Sequence, residues 1–159
     1  MRALVWGATS RGDYSKAYIL SRNILDEGKA EPQDLNENAW LSLFIGKVEP
    51  NDIDNALKGA QLTKQNPAVL HTLGCLYAQV GKTKEAREIL VHSMDLLNLD
   101  EPNPDYWYAF GLIAEHYGDG DAARANYMRV TQPKRSVEIP GSTYYLAQAR
   151  LQALHAQKQ

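Results

Sequence analysis

The chain has 159 residues, a mass of 17.8 kDa and a formal charge of −2, from 17 Lys and Arg against 19 Asp and Glu. That length suits one domain burying roughly 70% of its extended surface, so folding needs neither a disulfide nor a metal. The charge balance excludes a strongly basic nucleic-acid surface as the default, and the single cysteine, Cys75, excludes an intramolecular disulfide and a four-cysteine metal site.

From the N-terminus, Met1-Arg2-Ala3-Leu4-Val5-Trp6-Gly7 starts like a short signal segment but turns polar by Thr9-Ser10-Arg11-Gly12-Asp13. No stretch approaches the length of a membrane-spanning helix. A cytoplasmic location is the default expectation, uncertain if the chain is a fragment of a longer exported or anchored protein. Ala, Leu, Gln, Glu, Lys and Arg dominate over Val, Ile and Thr, which points to an all-α fold. The prolines at 32, 50, 67, 102, 104, 133 and 140 stand near element boundaries, because each removes a backbone donor and restricts its predecessor. This spacing predicts a weaker N-terminal unit over 1–31, units over about 37–65, 67–98 and 104–132, and a terminal helix over about 142–156, all within one domain over 1–159.

The units repeat. Trp40, Leu70 and Trp107 are followed three residues later by Leu43, Leu73 and Phe110, and then by Phe44, Gly74 and Gly111. Further on, Ala56, Ala86 and Ala123 align, then Ala60, Leu90 and Tyr127, then Thr63, Ser93 and Val130. Between anchors the spacing is 30 residues (40 to 70) and then 37 (70 to 107). Each unit reads as a helix-turn-helix. Trp107, Phe110, Gly111 and Ala114 share one helical face, as do Leu70, Leu73, Gly74 and Tyr77. Gly81 and Gly118 close their first helices and are expected at positive φ. Gly74 and Gly111, with Ala86 and Ala123, let paired helices approach closely against larger partners. At the N-terminus Gly12, Ala17, Ser21 and Ile24 repeat the spacing of Gly81, Ala86, Leu90 and Ser93.

Leu70, Leu73, Gly74, Tyr77, Ala86, Leu90 and Ser93 resemble the tetratricopeptide repeat, whose pattern is W-x2-L-G-x2-Y followed by A-x3-F. The next unit departs from it at Ala114, where Tyr is usual. In the first unit Phe44 takes the usual glycine place and Lys47 the tyrosine place. The resemblance implies a right-handed superhelical array of antiparallel helix pairs, with about three full or near-full units plus terminal helices. The short N-terminal unit either caps the array or continues a chain that extends upstream.

The resemblance also implies that the first helices line a concave groove for a peptide or protein segment. Residues one and five beyond each anchor are expected there: Leu41 and Ile45, His71 and Cys75, Tyr108 and Leu112. Val48 and Glu49, Ala78 and Gln79, and Glu115 and His116 follow further along. The candidate binding set is Leu41, Ile45, His71, Gln79, Tyr108, Leu112, Glu115 and His116. A second reading keeps the groove partly filled by the terminal helix around Tyr144, Tyr145 and Leu146. The basic clamp with which some members of the family hold a terminal carboxylate is missing at these places.

Little suggests chemistry. His71, His92, His116 and His155 form no compact metal-ligand spacing, and no cofactor loop is present. Cys75 and His71 stand four apart and could in principle couple, but no orienting Asp or Asn accompanies them. Gly81-Lys82-Thr83 and Asp119-Gly120-Asp121 read as turns rather than phosphate or calcium loops. Lys134-Arg135 is the best basic patch, and it is short. The expected function is a non-catalytic interaction module with a protein or peptide partner and no cofactor. The alternative is a structural or oligomerisation domain of a larger multidomain protein.

Overall fold

The computed structural model describes residues 1–132 and 141–156. Nine helices occur among them: α1 (Arg2–Ser10), α2 (Tyr14–Asp26), α3 (Pro32–Phe44), α4 (Pro50–Leu62), α5 (Pro67–Gln79), α6 (Thr83–Leu96), α7 (Pro104–His116), α8 (Gly120–Met128) and α9 (Thr143–Ala156). Four of the prolines occupy the first turn of α3, α4, α5 and α7. Their fixed φ suits a helix start, and the missing N–H would have no partner there. The turns after α5 and α7 close through Gly81 and Gly118 at φ +79° and +77°, as expected.

Helices pack as antiparallel pairs, α1 with α2, α3 with α4, α5 with α6 and α7 with α8. Successive pairs join through α2–α3, α4–α5 and α6–α7. The first helices also pack on one another, α3 on α5 and α5 on α7, whereas the second helices make no comparable contact. Closer spacing on one side bends the stack, so the first helices form the inner face of a superhelical array.

Close approach within the pairs rests on the large-against-small pattern seen in the sequence. A Cβ on Gly74 would stand 2.6 Å from Leu90 atoms, and one on Gly111 would stand 2.3 Å from the Tyr127 ring. Ala86 and Ala123 are fully buried on the facing helices.

The register of the first of the three main units differs from the sequence expectation. Aligned on the helix-opening prolines 32, 67 and 104, Leu35 is the equivalent of Leu70 and Trp107, and the spacings become 35 (32 to 67) and 37 (67 to 104). Ala39 then takes the small position of Gly74 and Gly111, and it is fully buried. The mismatch at the glycine place is therefore removed, while the tyrosine place falls on Ser42. The residue in register with Leu70 and Trp107 is thus Leu35, five residues before Trp40.

Buried polar side chains lock the N-terminal units. Asn38 Nδ2 donates to Ser21 Oγ at 2.8 Å, and Asn55 Nδ2 donates to Asn38 Oδ1 at 3.2 Å, joining α2, α3 and α4. Asp34 and Asp52 are almost fully buried, and each accepts from a backbone N–H at the start of its own helix, from Glu31 at 2.7 Å and Glu49 at 2.8 Å. Each also reaches a neighbouring helix. Arg2 of α1 donates twice to Asp34, and the Tyr18 hydroxyl of α2 donates to Asp52.

Candidate functional site on the inner face

Proline alignment sorts the inner-face positions. Asn36, His71 and Tyr108 are equivalent, as are Trp40, Cys75 and Leu112, then Leu43, Ala78 and Glu115, and finally Phe44, Gln79 and His116. Leu41 and Ile45 fall one place off this face. Leu41 is buried against the N-terminal pair with Val5, Ala8, Ala17 and Ile24. Ile45 is the C-cap of α3.

Of the other expected groove residues, Tyr108 and Leu112 are each 2% exposed and belong to the main core. The Tyr108 hydroxyl points at Gln79 Oε1, 3.4 Å away. Glu115 is held by Arg150 of α9 through two hydrogen bonds, and its Oε1 also accepts from the Tyr127 hydroxyl at 2.6 Å. His116 is exposed and lies over the Gly81 turn of the preceding unit. At the α7 level the inner face is thus covered by α9, in line with the self-filled reading.

An open space remains further back along the array. A cavity of about 620 Å³ is lined by Asn36 and Trp40 of α3, Ala68, His71 and Thr72 of α5, and Asp105 of α7, and is walled on its other side by Thr131, Gln132 and Gly141 to Thr143. Its size lies within the usual range of ligand pockets. Two hydrogen bonds tie the C-terminal wall to the first helices. Trp40 Nε1 donates to the Gly141 carbonyl at 2.9 Å, and the Thr143 hydroxyl donates to Asp105 Oδ1 at 2.6 Å.

His71 is the residue of the expected set that lines this cavity. Its ring lies tilted against Trp40, at 5.8 Å between centroids, and against Tyr106, at 4.7 Å. Nε2 lies 3.2 Å from the Asp105 carbonyl, which can only accept, so Nε2 carries the proton. Burial lowers the His71 pKa, outweighing the opposite pull of Asp105, so the ring is neutral at pH 7. The same burial raises the Cys75 thiol far above its ordinary range. The His71–Cys75 pair, 3.6 Å apart, is therefore an imidazole beside a thiol, not an ion pair.

Asn36, Trp40 and Asp105 were missed from sequence. The signal was the proline at each helix start, which places Asn36 and Trp40 in register with His71 and Cys75. Asp105 follows Pro104 directly. The basic pair Lys134-Arg135 lies outside the described residues. Among the described residues no cluster of three or more His, Cys, Asp or Glu is placed to hold a metal, and no helix is long and apolar enough to cross a membrane.

Paired helices, a stacked inner face and a side cavity define a helical-repeat protein of the α-solenoid class. The chain is 30% identical over 99 residues to BBSome complex member BBS4 of Bos taurus, a match covering 58% of this chain and 18% of that protein. No family model matches the chain, and no solved structure matches it.

Proposed function

We propose that this chain is a non-catalytic interaction module of the tetratricopeptide type that holds a peptide or protein segment on its inner face. The observation that carries this is the open cavity bounded by Trp40, His71 and Asp105, at the place where three first helices meet. It combines aromatic surface with a few polar groups, the usual make-up of a site that anchors a partner side chain. The likeness to a member of a multiprotein complex supports a role in assembly. A cytoplasmic setting belongs to the same reading.

The test is paired capture with wild type and Ala68→Phe. Ala68 is exposed, lies in the first turn of α5 and lines the cavity, so a phenyl ring there fills the space without entering the core. A partner held by wild type and lost by the folded variant supports the reading. Equal recovery of that partner by both baits moves the contact away from the cavity.

A second reading, a structural or oligomerisation domain of a larger protein, is favoured by one observation. Leu4 and Trp6 of α1 are 60% and 72% exposed. Mass measured by light scattering across concentration separates the two, since a self-associating array grows and a monomeric module does not.

A further inference from the structure

The polar groups around the cavity are unevenly used. The Thr143 hydroxyl spends its proton on Asp105, the Thr72 hydroxyl on the Ala68 carbonyl at 3.2 Å, and the Trp40 indole on Gly141. His71 spends its Nε2 proton on the Asp105 carbonyl, which leaves Nδ1 as a lone pair. Asn36 lines the same wall, and its Oδ1 is buried with no hydrogen-bond partner in the protein. Among the described residues lining the cavity, Asp105 is the one acidic or basic side chain apart from His71. These four donors are consumed within the protein, while the His71 lone pair, the Asp105 carboxylate and an indole ring face an occupant.

An occupant that matches these groups donates hydrogen bonds and carries positive charge. A guanidinium does both and also lies flat on aromatic rings. We propose that the cavity receives the arginine side chain of a partner polypeptide segment, with Asp105 as counter-ion and Trp40 as the ring it lies against. This rests on the reading that the inner face binds a polypeptide, and names the chemistry of the residue that anchors it. The charge preference is opposite to that of a carboxylate clamp.

The experiment is a titration of the full chain, followed by the tryptophan indole resonances in nitrogen–proton NMR spectra. The Trp40 signal is assigned with Trp40→Phe. The probe is the capped pentapeptide Ala-Ala-Arg-Ala-Ala, and the control carries citrulline, which has nearly the same shape without the charge. The arginine peptide is expected to shift the Trp40 indole saturably in the millimolar range, with citrulline and Asp105→Asn each weakening binding by about tenfold. Asn keeps an acceptor for Thr143, so this variant removes charge rather than structure. Asn36→Asp adds a second anion and is expected to tighten binding, an outcome that misfolding does not mimic.

Equal binding of the citrulline peptide, equal binding by Asp105→Asn, or no Trp40 shift would overturn the proposal. If that happens while Ala68→Phe still loses its partner, the interaction reading stands and the arginine assignment falls. If arginine binds selectively but Ala68→Phe keeps its partner, the assignment stands and the interaction reading loses this cavity as its site.

Discussion

Arg150 grips the Glu115 carboxylate with both Nε and Nη2, and so fastens α9 across the inner face of α7. Glu115 also accepts from Tyr127 of α8, so one carboxylate joins three helices. Burial alone would raise the Glu115 pKa, but the hydrogen bonds from Arg150 and Tyr127 outweigh it and leave the pKa lowered. A folded-state pKa below the unfolded value contributes stability that is complete above about pH 4.3 and is lost as pH falls through the folded value. Wild type is therefore expected to lose stability on acidification below that point. Glu115→Gln should flatten this dependence and cost about 1–3 kcal/mol at pH 7, both read by urea unfolding at a series of pH values. An unchanged acid limb in the variant would show that the carboxylate does not couple to folding.

Gly111 and Gly74 make a paired test of close packing. Alanine is the better helix former by about 1 kcal/mol, which favours the substitution. Against this, an added Cβ at 111 overlaps a ring whose hydroxyl is tethered to Glu115. Overpacking costs about 1–3 kcal/mol, so Gly111→Ala is expected to be net destabilising. Leu90 carries no such tether and the overlap is smaller, 2.6 Å against 2.3 Å, so Gly74→Ala should cost less. Thermal melts of the two variants check the order, and a more stable Gly111→Ala would contradict it.

Cys75 is fully buried, and its thiol is held protonated by burial. At pH 8 a disulfide reagent such as DTNB should leave it untouched in the native protein and label it promptly in denaturant. Rapid labelling under native conditions would mean that α5 opens locally at little cost.

Asp34 and Asp52 repeat one device. Glu31-Pro32-Gln33-Asp34 and Glu49-Pro50-Asn51-Asp52 share a Glu-Pro-x-Asp pattern, and each aspartate caps its helix while bonding to an earlier one. Asp52→Ala removes the cap and leaves the Tyr18 hydroxyl without that acceptor, so about 2–3 kcal/mol of stability should be lost. Tyr18→Phe should cost about 1 kcal/mol, and the double variant less than the sum of the two. Full additivity in chemical denaturation would show that the two side chains do not cooperate.

Helix content, the pairing of helices and their turns were legible in the chain. Proline at a helix start, glycine at positive φ and alanine or glycine facing leucine or tyrosine act through local sterics, so they can be read from neighbours a few residues away. The register of the first main unit was also present, in the spacing of Pro32, Pro67 and Pro104, but Trp40 masked it. A large aromatic satisfies a repeat pattern at several offsets, and only packing distinguishes a core anchor from a residue of the inner face.

The candidate site belonged mostly to tertiary structure. Spacing from the helix anchor put Tyr108, Leu112 and Glu115 on the inner face, yet their exposure depended on what lay opposite. Arg150 and the hydrogen bonds from Trp40 to Gly141 and from Thr143 to Asp105 decided that, across 35, 101 and 38 residues of chain. Pairings at such separations leave no periodic trace. By itself, therefore, the sequence determined a stacked array of helix pairs, because that follows from local geometry. The folded chain decided which part of its inner face stays open, because that depends on where a distant helix docks.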